Sequence, residues 1–224
     1  VILTLLLAFG LSSEPALVEL FSSEGCSSCP SAESLWRTRA SADPSLVLLE
    51  FHVDYWNSLG WTDPFSSPDF SARQDRYAGW RGRTQVFTPQ AVVDGQYSLV
   101  GSDAEGADDA IRHARGSPKQ PLIVEVHGNK VSISSAAAPT GELWVAVTEA
   151  GLESVVTRGE NQGRTLKHAP VVRAFHQLGA IARGPLARET SLGVVPGWRS
   201  DNLRVVAAIQ DPASGHILAL GATK

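Results

Sequence analysis

In the first half of the chain, short apolar runs alternate with stretches of helical period. Residues 16–21 (ALVELF) form an apolar run with one polar interruption, the length of a buried strand. A polar turn, SSEG, follows, and residues 31–40 then carry a helical pattern. Residues 46–53 (LVLLEFHV) make a second apolar run of strand length. A Pro-, Ser- and aromatic-rich stretch covers 54–68, and a helix is predicted over 69–80. Val86 opens a further strand after the RGR turn. Residues 90–93 and 97–100 flank Asp94-Gly95, a pair suited to a tight left-handed hairpin turn. A helix over 103–115 starts acidic and ends in Arg112, His113 and Arg115, matching the helix dipole. The order β-α-β-α-β-β-α is that of a mixed α/β domain.

The texture changes at Gly116-Ser117-Pro118. Beyond it, strands are predicted over 122–127, 131–135, 143–148, 203–209 and 217–220, with turns at 128–129 and 211–215. Strands at turn-marked intervals, with little helical patterning, predict a β-sandwich or barrel. Two domains are expected, 16–117 and 118–224, preceded by a separate segment at 1–15. That segment opens with VILTLLLAFGL, too short to span a bilayer. It reads as the apolar part of a secretory signal peptide, and the lack of any methionine fits a clipped start. The expectation is an exported protein, periplasmic or extracellular, with no stable membrane span in its mature form. Such a compartment permits disulfides.

Composition adds mainly exclusions. With 43% hydrophobic and 19% charged residues, the chain is neither disordered nor a polytopic membrane protein. A formal net charge of −4 leaves no footprint for nucleic acid. There is no P-loop, dinucleotide-binding glycine fingerprint, HExxH or GxSxG motif. The two cysteines, Cys26 and Cys29, are too few for a stapled mini-domain or a four-thiolate zinc site.

Their placement nevertheless makes them the sharpest candidate chemistry. Cys26-Ser27-Ser28-Cys29-Pro30 lies between a predicted strand and a predicted helix. A thiolate at a helix N-terminus faces unpaired N–H groups and the positive end of the dipole, so its pKa falls. Cys26 is expected at an exposed N-cap as the nucleophile, with Cys29 one turn on to resolve the mixed disulfide. Pro30 fits the first turn, where a missing N–H costs little. The competing readings are a structural disulfide across a short loop, half of a metal site, and two inert thiols.

Thr88-Pro89 precedes the hairpin. In thioredoxin-like folds a proline here is cis, packs against the dithiol and leaves its neighbour's backbone free to pair with an extended substrate; this region resembles that arrangement. An ordinary trans turn proline is the alternative. The segments ELFSSEGCSSCP (19–30), FHVDYWNSLGWTDPF (51–65), SARQ (71–74), TPQAVVDG (88–95) and ENQGRTLKH (160–168) resemble the secreted bacterial family called domain of unknown function 1223. That resemblance spans nearly the whole chain. It implies an α/β thioredoxin-like N-terminal domain followed by a β-rich, sandwich-like C-terminal domain, and it assigns no reaction.

Around the dithiol, His52 and Asp54 end the second predicted strand and share one strand face. His52 could take a proton from a cysteine or join Cys26 and Cys29 as a third metal ligand, with Asp54 orienting it. Both could equally just hydrogen-bond the loop that follows. Glu24 reads as a solvated turn residue, with proton shuttling as the alternative. Tyr55, Trp56, Trp61, Phe65 and Phe70 form either a satellite core or a lid over the dithiol. Arg73 and Arg76 follow on the next helix, where acidic neighbours could meet them. Residues 160–164 and His168 suggest a binding loop or a contact between the halves. His113, His127, His176 and His216 show no ligand spacing and are expected at surface or structural positions.

Three functions follow. The first is an exported thiol–disulfide oxidoreductase using Cys26 and Cys29 with Thr88 and Pro89. It needs no cofactor beyond its redox-active disulfide and acts on a thiol- or disulfide-bearing protein or small molecule. The second is a copper- or other soft-metal-binding protein using Cys26, Cys29 and His52. The third is a non-catalytic binding module.

Overall fold

The computed structural model describes residues 14–223. The apolar run 1–11, expected to belong to a signal peptide, lies outside the described residues. The first half forms β1 (Ala16–Ser22), α1 (Cys29–Ala42), β2 (Leu46–His52), α2 (Pro68–Trp80), β3 (Gln90–Val93), β4 (Tyr97–Val100) and α3 (Ala104–Arg115). Val86 opens no strand. Pro89 lacks the N–H that a ladder needs, and pairing starts after it at Gln90. The hairpin turn is as expected, with Asp94 and Gly95 both at positive φ. Asp103 caps α3 by accepting from the Gly106 N–H.

The second half forms β5 (Gln120–Pro121), β6 (Ile123–His127), β7 (Lys130–Ala138), β8 (Gly141–Glu149), β9 (Glu153–Val155), β10 (Thr165–Lys167) and β11 (Val171–Ile181). It ends with β12 (Gly184–Ser191), β13 (Leu203–Gln210) and β14 (Ile217–Ala222). Five of these, β5 and β9 to β12, have no counterpart in the sequence expectation. The long strand β11 carries Arg173, His176 and Gln177 among its apolar residues. Its register shifts twice against β8, between Val172 and Ala174 and between Gln177 and Gly179. Each bulge breaks the two-residue period that marks a strand, so no clean alternation survives.

That strand overturns the expected architecture. The chain does not form an α/β thioredoxin-like domain beside a separate β-rich one. It is mainly β, with fourteen strands and three α-helices among the described residues. Nine strands make one mixed sheet in the order β4-β3-β1-β2-β11-β8-β13-β14-β5. The join is made where β11 runs parallel to β2, Val171 beside Glu50, with the Glu50 N–H donating to the Pro170 carbonyl at 2.9 Å. A three-stranded sheet, β12-β7-β6, packs on one face of the later strands, and β9 pairs with β10.

Three apolar layers follow from the alternation of side chains. Ala16, Val18 and Leu20 of β1 face α1 and α3, which contribute Trp36, Ala107 and Ala110. Leu17 and Phe21, on the opposite face, meet Phe70 and Tyr77 of α2 together with Trp144 of β8 and Val206 of β13. Helix α2 therefore covers strands from both halves. Val131 and Ile133 of β7 close over Val145, Val147 and Ala207 as the third layer. On α2, Arg73 is buried and paired with Glu19 of β1, its guanidinium 4.6 Å from the Phe175 ring and 4.9 Å from that of Trp144. The exposed edge of the same helix pairs Arg76 with Glu142 at 2.7 Å.

Candidate functional site

Cys26 and Cys29 are joined as a disulfide, with their Cα atoms 5.4 Å apart. The cap lies two residues later than expected: Ser28 is the N-cap, Cys29 the first helical residue, and Pro30 follows within the first turn. Cys26 is 1% exposed and Cys29 wholly buried, whereas Ser27 and Ser28 face solvent. The exposed N-cap expected of Cys26 is thus occupied by Ser28. Cys26 is covered because residues 160–164 from the second half lie over the turn. The buried Asn161 amide donates to the Glu24 and Cys26 carbonyls, each at 2.9 Å, and Glu160 accepts from the Ser27 N–H. Arg164 holds the Asn161 side-chain oxygen at 2.6 Å.

The Thr88–Pro89 bond is cis. Pro89 is buried beside Gly101, close to Ala32 on the first turn of α1; a Cβ at Gly101 would sit 3.0 Å from Pro89 and 3.1 Å from Ala32. The Thr88 hydroxyl accepts from the Trp56 indole at 2.8 Å, and Trp56 packs against Gly25 in the turn before Cys26. Trp56 thereby links the proline region to the disulfide turn.

Beneath that turn lies a buried cluster of two histidines and four carboxylates. His52 presents Nδ1 to Asp63 at 2.7 Å and Nε2 to Glu50 at 3.2 Å. His168 presents Nδ1 to Glu33 at 3.2 Å and Nε2 to Glu24 at 3.2 Å. The two imidazoles are 5.0 Å apart, and the Phe65 ring meets both edge-on. Every one of these six ionisable residues is at most 2% exposed. Burial pushes the Glu50 carboxyl up to about 7, helped by the charge of Glu33. Burial opposes charge on the histidines, yet the carboxylates win. Glu24 and Glu33 lift His168 to about 9, and Asp63 and Glu50 hold His52 well above its ordinary value. Glu33 and Asp63 are held low against the same burial, through His168 and His52 respectively.

A family model described as protein of unknown function (DUF1223) matches residues 17–210. The chain belongs to the DUF1223 family. This DUF1223 chain is also similar to a crystal structure of a protein from Agrobacterium tumefaciens, at 29% identity and TM-score 0.74, covering 94% of this chain and 93% of that one. A structure of HBP35 of Porphyromonas gingivalis shares the fold at 14% identity and TM-score 0.64, over 94% of this chain and 75% of the other. No curated protein matches.

Several expected neighbours of the disulfide sit elsewhere in this DUF1223 chain. Glu24 is not a solvated turn residue: it is wholly buried, and its carboxylate accepts from the Trp61 indole at 2.7 Å. Asp54 does not orient His52. It lies past the end of β2 and accepts from the Ser71 hydroxyl, while Asp63 holds the imidazole instead. The aromatic stretch divides. Phe70 enters the core, Phe65 and Trp61 line the cluster, and Tyr55 is exposed. Glu33 and Asp63 were invisible as site residues because single carboxylates in a helix and a loop carry no spacing signal. His113 and His127 are exposed, and His176 and His216 are half-buried.

Proposed function

We propose that this protein is an exported thiol–disulfide oxidoreductase whose Cys26–Cys29 pair exchanges with dithiols or disulfides of a protein or small-molecule partner. The observation that carries the reading is the disulfide itself, closed across a four-residue turn that leads into helix α1. A disulfide over so short a loop removes little entropy from the unfolded chain, so stability is a weak reason for it. Its position at a helix N-terminus favours a thiolate leaving group through the unpaired N–H groups of the first turn.

In the oxidising direction a substrate thiolate attacks the Cys26 sulfur, the S–S bond breaks, and Cys29 leaves as the thiolate. The second substrate thiol, deprotonated, attacks the mixed disulfide and releases Cys26 as a thiolate. Two electrons pass from substrate to protein, and the two thiol protons pass to solvent or to the new protein thiols. The reducing direction is the reverse. Thr88, Pro89 and Trp56 flank this turn and suit a role in seating the partner.

The test is insulin disulfide reduction with dithiothreitol, together with a glutathione redox titration of the purified chain. The wild type is expected to accelerate insulin precipitation, and Cys26→Ser to abolish the acceleration. Undiminished exchange in Cys26→Ser, or no exchange by the wild type, overturns the reading.

A further inference from the structure

The buried cluster sets four carboxyl groups, those of Glu24, Glu33, Glu50 and Asp63, around two imidazoles, and every one of these residues is at most 2% exposed. Buried charge at that density is costly without a counter-ion. Hydrogen bonding is incomplete as well. Both oxygens of Glu50, Nε2 of His52 and Oε1 of Glu24 are buried with no hydrogen-bond partner, Glu50 Oε1 lying 3.2 Å from His52 Nε2 and Glu24 Oε1 3.2 Å from His168 Nε2.

We infer that Glu50, His52 and His168 form a binding site for one divalent transition-metal ion. One ligand atom from each lies within 4.8 Å of the other two, a spread that small side-chain rotations close to metal–ligand bonds of about 2.0–2.2 Å. Two imidazoles and a carboxylate suit zinc or iron(II) rather than calcium or magnesium. The surrounding carboxylates have the places that support such ligands. Asp63 holds Nδ1 of His52, which leaves Nε2 free to bind. Whichever ring nitrogen His168 offers, the other faces a carboxylate, Glu33 at Nδ1 or Glu24 at Nε2. A cleft of about 700 Å³, lined by Arg37, Leu48, Pro170 and Arg204, borders His168 on the outer side.

The site is distinct from one built on the cysteines and does not rest on the redox reading. Its test uses the full chain, stripped with EDTA and titrated with Zn²⁺ or Co²⁺. One Zn²⁺ per chain is expected to survive gel filtration and to raise Tm. The Co²⁺ form should show visible d–d bands without the intense near-ultraviolet sulfur-to-cobalt band. Glu50→Gln and His168→Gln should lose the ion, and Asp63→Asn should weaken binding roughly 10–100-fold. The Cys26→Ser/Cys29→Ser double variant should bind as well as the wild type. Absence of saturable binding by the wild type, or a sulfur-to-cobalt band, overturns the proposal. So does undiminished binding by folded Glu50→Gln and His168→Gln; if those variants do not fold, the wild-type stoichiometry and Co²⁺ spectrum decide alone.

Discussion

Asn161 does more at the disulfide turn than any residue the turn itself contributes. One amide group satisfies two carbonyls, those of Glu24 and Cys26, while wholly buried. Truncation to alanine leaves both acceptors without that donor in a dry site, at a cost of about 1–3 kcal/mol. It also removes the covering that keeps Cys26 at 1% exposure. Asn161→Ala is therefore expected to lower Tm and to speed reduction of the disulfide by tris(2-carboxyethyl)phosphine. A reduction rate equal to that of the wild type would mean that residues 160–164 do not control access. Arg73 shows the opposite use of a buried polar residue. Its charge is matched by Glu19 and enclosed by Phe51, Phe175 and Trp144, a setting in which it ties packing together and touches no part of the disulfide turn.

At the level of elements, helix α2 and strand β8 share an apolar layer that links the halves. Trp144 of β8 is 2% exposed and packs against the α2 layer. Trp144→Ala is expected to cost about 3–5 kcal/mol, read as a lower denaturant midpoint in urea unfolding. A loss confined to one of two resolved transitions would show that the link is weak. Elements with strong local signals were legible in the chain: the Asp94-Gly95 hairpin, the dipole-matched α3 and the CSSC turn before a helix all stand where residue patterns place them. Those with none were not. The bulged β11 and the exposed, polar β12 carry no usable alternation, and missing them hid how the sheet closes. The candidate site followed the same divide. The two cysteines and His52 could be named from spacing and strand position. Asp63, Glu33 and Asn161 acquire their roles only through contacts 11 or more residues away in sequence.

For the whole molecule, the decisive fact is that the histidine–carboxylate cluster sits on the seam. Glu50 and His52 end β2, and His168 lies just before β11, the strand that β2 joins. The seam is secured away from the cluster too. Lys119, at the expected domain boundary, is buried in an ion pair with Asp94 at 2.5 Å. The Asp94-Gly95 turn abuts the turn at 211–215, with the Ile217 N–H donating to the Asp94 carbonyl at 3.0 Å. A chain ending at residue 117 would lose β11 beside β2, the Trp144 and Phe175 rings over Arg73, and Lys119 from Asp94. It would expose Phe51 and Phe70 and leave the Glu50 edge of β2 unpaired, a combination that favours aggregation over folding. Residues 14–117 alone are expected to bind a hydrophobic dye and to unfold without a cooperative transition. The full chain should unfold in a single step. Cooperative melting of the fragment with a native near-ultraviolet circular dichroism spectrum would show instead that the first half is a self-sufficient folding unit, with the seam a docking surface added to it.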